Sequence, residues 1–363
     1  MQLSLFISNF KNFLNKRIVI GSFLTILFAL IILLSLSKIL EQMDNNSHLG
    51  KSMSDNPSVY TSNADVLILG DSWANQGIDS EIVEQTLANK FGKNINVYNL
   101  GRPGLQTPFA YFLLADYLKK ASKKPKVVVV NFSFYLLGGM DWMNDIYFSY
   151  YKPDLWQVVD AIDSKLITVG QGISWYFTTR IPFLRYKKRF KTGILENLAG
   201  DTNQIYKAYC WSSFFEDFVI SGRTKGYLSN GSMCVPTEKL NLESYNHYVN
   251  TIHNGYSVYF EYLKKFSDLA ARNNINVVIY QFPWPKIAKD NSYFQEKILN
   301  YYEDLLKETV QGNPYIHFVD YNYFWEHNLF IDPLHLNQIG ANKLSSQHVP
   351  DWIMEHINYL PTN

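Results

Sequence analysis

The residues that invite chemistry begin at Ala64-Asp65-Val66-Leu67-Ile68-Leu69-Gly70-Asp71-Ser72-Trp73, where an apolar run ends abruptly in Gly-Asp-Ser. A buried strand that stops in this way delivers a serine hydroxyl to the rim of a parallel sheet. Serine is a poor nucleophile until a base takes its proton, and the base works best when a carboxylate fixes its tautomer. The chain has 8 histidines. Of these, His335 alone sits in a turn-rich segment three residues after an aspartate, in Ile331-Asp332-Pro333-Leu334-His335-Leu336-Asn337. Ser72, His335 and Asp332 are therefore the candidate nucleophile, base and orienter of an acyl transfer. The plainer alternative makes Ser72 a turn hydroxyl capping a helix and His335 a loop histidine bonded to a carbonyl.

Such groups must be gathered by strands. After the first strand, Asp79 is placed to cap a helix through about Phe91, with Ile82, Val83 and Leu87 on one face. Ile95–Leu100 alternates as a second strand and closes in Gly101-Arg102-Pro103-Gly104; a helix over about 107–121 follows. Val127–Val130 is β-branched throughout, the pattern of a strand buried on both faces. A helix ending near Asn273, a strand over 275–280, a helix over about 293–310, a short strand over 316–320 and a closing helix complete the chain. The alternation predicts an α/β fold with a parallel sheet. In such sheets functional groups collect at the carboxyl ends of strands, where Ser72, Gly104 and the Asp332–His335 segment all fall.

The rest of the sequence sets the surroundings. The 363 residues are 47% hydrophobic, enough for one large α/β domain or two smaller ones. A net charge of +1 provides no field to gather nucleic acid. Residues 18–37 carry no charge, follow Lys11, Lys16 and Arg17, and precede Glu41 and Asp44. About 20 such residues cross a bilayer as a helix, and the charge order keeps residues 1–17 cytoplasmic with the rest outside. A cleavable signal peptide is the rival, but this stretch outlasts the ~7–15 apolar residues such peptides carry. Residues 38–63 are polar and rich in turn formers, a tether to a domain beginning at residue 64. Residues 136–240 interrupt the alternation and are aromatic-rich, an expected insertion. They hold both cysteines, Cys210 and Cys234, and a basic run from Arg185 to Lys191. The cysteines lack metal-ligand spacing; a bridge between them and two free thiols are both open. The basic run suits phospholipid head groups or an anionic polymer, or is a solvated face. No internal repeat is visible.

Taken together, Gly70-Asp71-Ser72, Asn99–Gly104 and Asp332-Pro333-Leu334-His335 resemble the blocks of the SGNH or GDSL hydrolases, in the same order along the chain. The resemblance covers residues 64–135 and about 274–348. It implies a three-layer, flavodoxin-like parallel sheet carrying a Ser72–His335–Asp332 triad, with no metal or organic cofactor. It also implies an oxyanion hole formed by the backbone N–H groups of Ser72 and Gly104. The family's third block, Gly-x-Asn-Asp, is replaced here by Val130-Asn131-Phe132-Ser133-Phe134-Tyr135, so Asn131 and Tyr135 compete for its donor's place. One such donor is worth roughly 10²–10³ in rate. Trp73, Tyr135 and Trp284 are candidates to touch substrate, with packing at the sheet end as the alternative for the tryptophans. With an N-terminal anchor, the architecture is similar to SGNH proteins that modify cell-surface polymers, in teichoic acid D-alanine transfer and alginate O-acetylation. That likeness implies a cell-membrane location with the domain extracytoplasmic. It further implies an acylated glycan or acyl-donor substrate and a membrane-bound O-acyltransferase partner. A simple lipid or carbohydrate esterase and a non-catalytic scaffold of the same fold are the alternatives.

Overall fold

A computed structural model describes residues 16–45, 63–102, 104–131, 148, 151–181, 257–286, 289, 304, 307–319, 324–330 and 335–358. Helix α1, Lys16–Asn45, contains a 19-residue stretch, Gly21–Ile39, long and apolar enough to cross a membrane. The helix runs past the expected end of the span, because Ile39, Leu40, Glu41, Gln42 and Met43 are helix formers and nothing breaks it before Asn46. The tether expected from residue 38 thus begins as helix.

The remaining described elements are an α/β unit. Strands β1 (Val66–Leu69), β2 (Val97–Asn99), β3 (Val127–Asn131) and β4 (Asn276–Tyr280) are joined by Ile316–Val319, and all pair parallel. With Trp284–Pro285 as β5 and Ile316–Val319 as β6, the spatial order is β2-β1-β3-β4-β6. Strand β7, Phe324–Trp325, pairs only with β5 in a separate two-stranded ladder. Every residue of β1 to β4 is buried, so both faces of the sheet are covered.

The covering helices fall into two sets. On one side α4 (Thr107–Lys120) packs along α7 (Ser257–Arg272); on the other, α3 (Ser80–Phe91) meets α8 (Gln338–Gln347) and α9 (Val349–His356). Asp79 caps α3 in line with the sequence pattern, its carboxylate accepting from Glu81 and Ile82 N–H. The single closing helix expected from the sequence is two, divided at His348, because Pro350 cannot continue an incoming helix but suits the first turn of a new one. Most of the expected helix over 293–310 lies outside the described residues.

Within the expected insertion, α5 (Leu155–Asp163) and α6 (Val169–Thr178) form a hairpin against α4 and α7. Tyr262 Oη and Lys265 Nζ of α7 reach Asp160 of α5 at 2.8 Å each, and the Trp175 ring of α6 lies 6.0 Å from that of Phe109. Cys210, Cys234 and the basic run 185–191 lie outside the described residues.

Candidate active site

The site is built at the end of β1. After Leu69 the chain turns through Gly70, whose φ of +143° is open only to glycine. Asn131, the last residue of β3, fills the space where a Gly70 side chain would stand. Asp71 follows as the N-cap of a short helix, α2 (Ser72–Gly77), and accepts from Trp73 N–H at 2.9 Å. Ser72 is therefore the first helical residue, where a backbone N–H has no intrahelical acceptor. Of residues 71–78, Ser72 alone is not buried.

From the far end of the chain comes His335. Its Nε2 lies 2.8 Å from Ser72 Oγ, across 263 residues of sequence. In the tautomer protonated at Nδ1, that Nε2 accepts the serine proton. The two residues after the histidine fix its position. Leu336 bridges to Phe330; Asn337 N–H donates to Leu329 O, and the Asn337 amide donates to Asn328 O at 2.7 Å. The Asn337 side-chain oxygen then caps α8 through Gly340 N–H. Helix α8 packs on α2 and α3, with Ser345 Oγ accepting from Asp79 N–H at 2.7 Å. A Cβ added at Gly77 would stand 2.7 Å from the Phe282 ring and 3.8 Å from Leu336, so only glycine leaves room here for the residues packed around the His335 loop.

A third segment, the loop after β2, is laced to the same helix. Asn99 donates to Ala74 O and Ile78 O, and its oxygen accepts Gly101 N–H. Asn75 donates to Gly101 O at 2.6 Å, and Arg102 N–H donates to Gly70 O at 2.9 Å. Gly101 thus has its N–H committed, whereas Gly104 turns in the left-handed region at φ +64° two residues past the tie to Gly70. Sequence reasoning alone misses Asn75, and it gives Asn99 only as the start of the second block, with no role. The available signal is a pair of asparagines flanking a Gly-Asp-Ser turn and a strand end, since a loop that meets a helix end needs side-chain partners for its backbone.

Three expected site residues are placed differently. The Asn131 side chain is 1% exposed and its nitrogen donates to Asp71 Oδ1 at 2.8 Å. It braces the carboxylate that caps α2 instead of facing an open cleft. Trp73 and Trp284 are 3% and 4% exposed, with ring centroids 5.1 Å apart, and Trp73 also stacks on Phe282 at 5.1 Å. Among the described residues both pack the sheet end, where removal of so large an indole from water is stabilising. Asp332 and Tyr135 lie outside the described residues.

Tyr280, opposite Asn131 in the sheet, has its hydroxyl held well above the usual phenol range, first by burial and then by the nearby Asp71 charge. Among the described residues no group of three or more His, Cys, Asp or Glu is arranged to hold a metal ion. The pair Ser72–His335, with the N–H groups of a helix start beside it, is an arrangement suited to adding a serine oxygen to an acyl carbon. Compared with family models and with curated proteins, the chain matches none.

Proposed function

We propose that the chain is a membrane-anchored serine acyltransferase or esterase of the SGNH kind, acting outside the membrane on acyl groups of a surface polysaccharide or related polymer. The observation that carries this is the 2.8 Å approach of Ser72 Oγ to His335 Nε2. The strand order, with β1 between β2 and β3, supports a flavodoxin-like, doubly wound sheet. Ser72 then lies at the point where that order reverses, the usual place for a site in such sheets.

In the proposed reaction His335 takes the Ser72 proton as Oγ bonds to the acyl carbon. Asp332 holds the imidazolium, and the N–H groups of Ser72 and Gly104 hold the oxyanion. The leaving alcohol takes the proton back from His335, and an acyl-serine remains. Water or a sugar hydroxyl then gives up its own proton to His335 and attacks, and Ser72 is restored. The apolar helix α1 supports the anchored location, with residues 1–17 cytoplasmic.

A serine-directed fluorophosphonate tests the reading: it labels the full chain, and Ser72→Ala and His335→Ala abolish labelling. An intact chain that never labels supports the scaffold alternative and overturns the enzyme. Product analysis with and without a glycan acceptor separates transfer from hydrolysis.

A further inference from the structure

The α5–α6 hairpin carries an exposed apolar surface that no described element covers. Helix α6 contains no charged residue, and it has two apolar stripes. Gly172 and Trp175 face inward; Gly172 packs on Val158 and Ile162 of α5, which fixes the sides the two helices turn to each other. At 100° per residue, Val169, Ile173 and Phe177 lie on the outer flank of that seam, and Leu155 and Val159 lie on the matching flank of α5. These five side chains are between 48% and 63% exposed. The polar Gln171, Ser174 and Thr178 occupy the opposite flank of α6. A helix apolar on two sides calls for a second apolar environment.

We infer that this seam seats on the lipid surface of the membrane that α1 enters, as an interfacial contact in addition to the span. The inference rests on the reading of α1 as a membrane anchor. Residues 46–62 join α1 to the domain and reach at most about 60 Å at full extension, which keeps the domain tethered to the bilayer surface. Charge agrees: four residues beyond Ile181 the sequence reads Arg185-Tyr186-Lys187-Lys188-Arg189-Phe190-Lys191, suited to anionic head groups. Position agrees as well. The hairpin meets Phe109 at the start of α4, just past Gly104, and Tyr259 at the start of α7 bonds Gln106 at 3.1 Å. At the other end Lys119, near the end of α4, pairs with Asp154 at 2.6 Å, so the hairpin lies along the outside of this helix layer, where a lipid surface can reach it.

The test uses the full chain in phosphatidylethanolamine–phosphatidylglycerol vesicles containing a lipid with a photoactivatable diazirine near the head group. Cross-linked peptides are mapped by mass spectrometry. Adducts are expected on α1 and on residues 155–159 and 169–177, at least tenfold above those on α3. The Ile173→Asp, Phe177→Asp double variant loses the hairpin adducts while keeping those on α1 and the fluorophosphonate labelling of Ser72. Adducts on α1 without any on the hairpin overturn the inference and leave the anchor standing, the face then being covered by protein. Absence of adducts on α1 overturns the anchor and this inference with it.

Discussion

Replacing Gly70 by alanine tests how the strand end aims Ser72. An added Cβ would fall inside the van der Waals radius of Asn131 Oδ1, with Asn131 Cγ at 2.7 Å and Ala74 Cβ at 2.8 Å. At φ +143° the alanine backbone is itself strained, by about 1–3 kcal/mol. To make room the Asn131 side chain must leave, and its bond to Asp71 goes with it; a buried group losing its partner costs about 1–3 kcal/mol more. The expected loss is about 3–5 kcal/mol, a large share of the roughly 5–15 kcal/mol that holds a domain. Asn131→Ala alone gives up the bond to Asp71 without the clash and loses about 1–3 kcal/mol. The double variant keeps the strain and the Ala74 contact but has no Asn131 to displace, so it is less destabilised than the sum by about 1–2 kcal/mol. Urea unfolding of the full chain in detergent, followed by tryptophan fluorescence, measures all three. A Gly70→Ala loss below about 1 kcal/mol, or strict additivity in the double variant, refutes the account of this turn.

Other substitutions probe what surrounds it. Asp71→Ala removes a helix cap, about 1 kcal/mol, and strands the Asn131 amide; fluorophosphonate labelling of Ser72 should fall at least tenfold while Asp71→Asn keeps part of it. Equal labelling of all three proteins would show that the cap does not position the serine. Asp116→Ala removes the carboxylate that accepts from the buried Tyr151 hydroxyl and from the Gln157 amide, a loss of about 1–3 kcal/mol that should appear first as protease cleavage within 151–181. His317 and His356 stack at 4.1 Å, and burial, then the neighbouring His356, lowers the His317 pKa to about 4; burial also lowers that of His356. Unfolded histidine binds its proton first, so the stability this pair allows is complete above about pH 6.5 and is lost as pH falls toward 4. Both rings keep some contact with water and are partly screened, which limits the loss to about 1–2 kcal/mol. His317→Phe keeps the stack and should flatten that slope; an unchanged slope would assign it to other groups.

The elements legible in the sequence are those whose signal is local. Val127–Val130 reads as a strand because four β-branched residues fit nothing else so well, and Asp79 announces α3 because a carboxylate before an apolar stripe caps a helix. The hairpin is not legible in the same way, although Thr168-x-x-Gln171 is a capping box and its two bonds are made at 2.8 and 3.3 Å. Three consecutive aromatics in α6, Trp175, Tyr176 and Phe177, hide the 3.6-residue period, because Trp175 turns inward while Phe177 turns outward. The same ambiguity affects Trp73 and Trp284: a tryptophan next to a candidate serine looks like a wall for substrate until Phe282, more than 200 residues from Trp73, is seen stacked on it.

What decides the site is the shortness of α2. Six residues leave no room for Ser72 to be held by its own helix, so its place is set by three separate ties. Asp71 is braced from β3 by Asn131, Asn75 and Asn99 bind the helix to the loop after β2, and α8, capped by Asn337 two residues after His335, packs on α2. Each tie comes from a different segment at the carboxyl rim. A serine held from three sides can approach a histidine at 2.8 Å without the pair being near in sequence, and any one tie can be cut to loosen it. Cutting them singly and together therefore separates positioning from chemistry. Loss of a tie should lower labelling and stability together, whereas Ser72→Ala should abolish labelling and leave stability within about 0.5 kcal/mol of the natural chain.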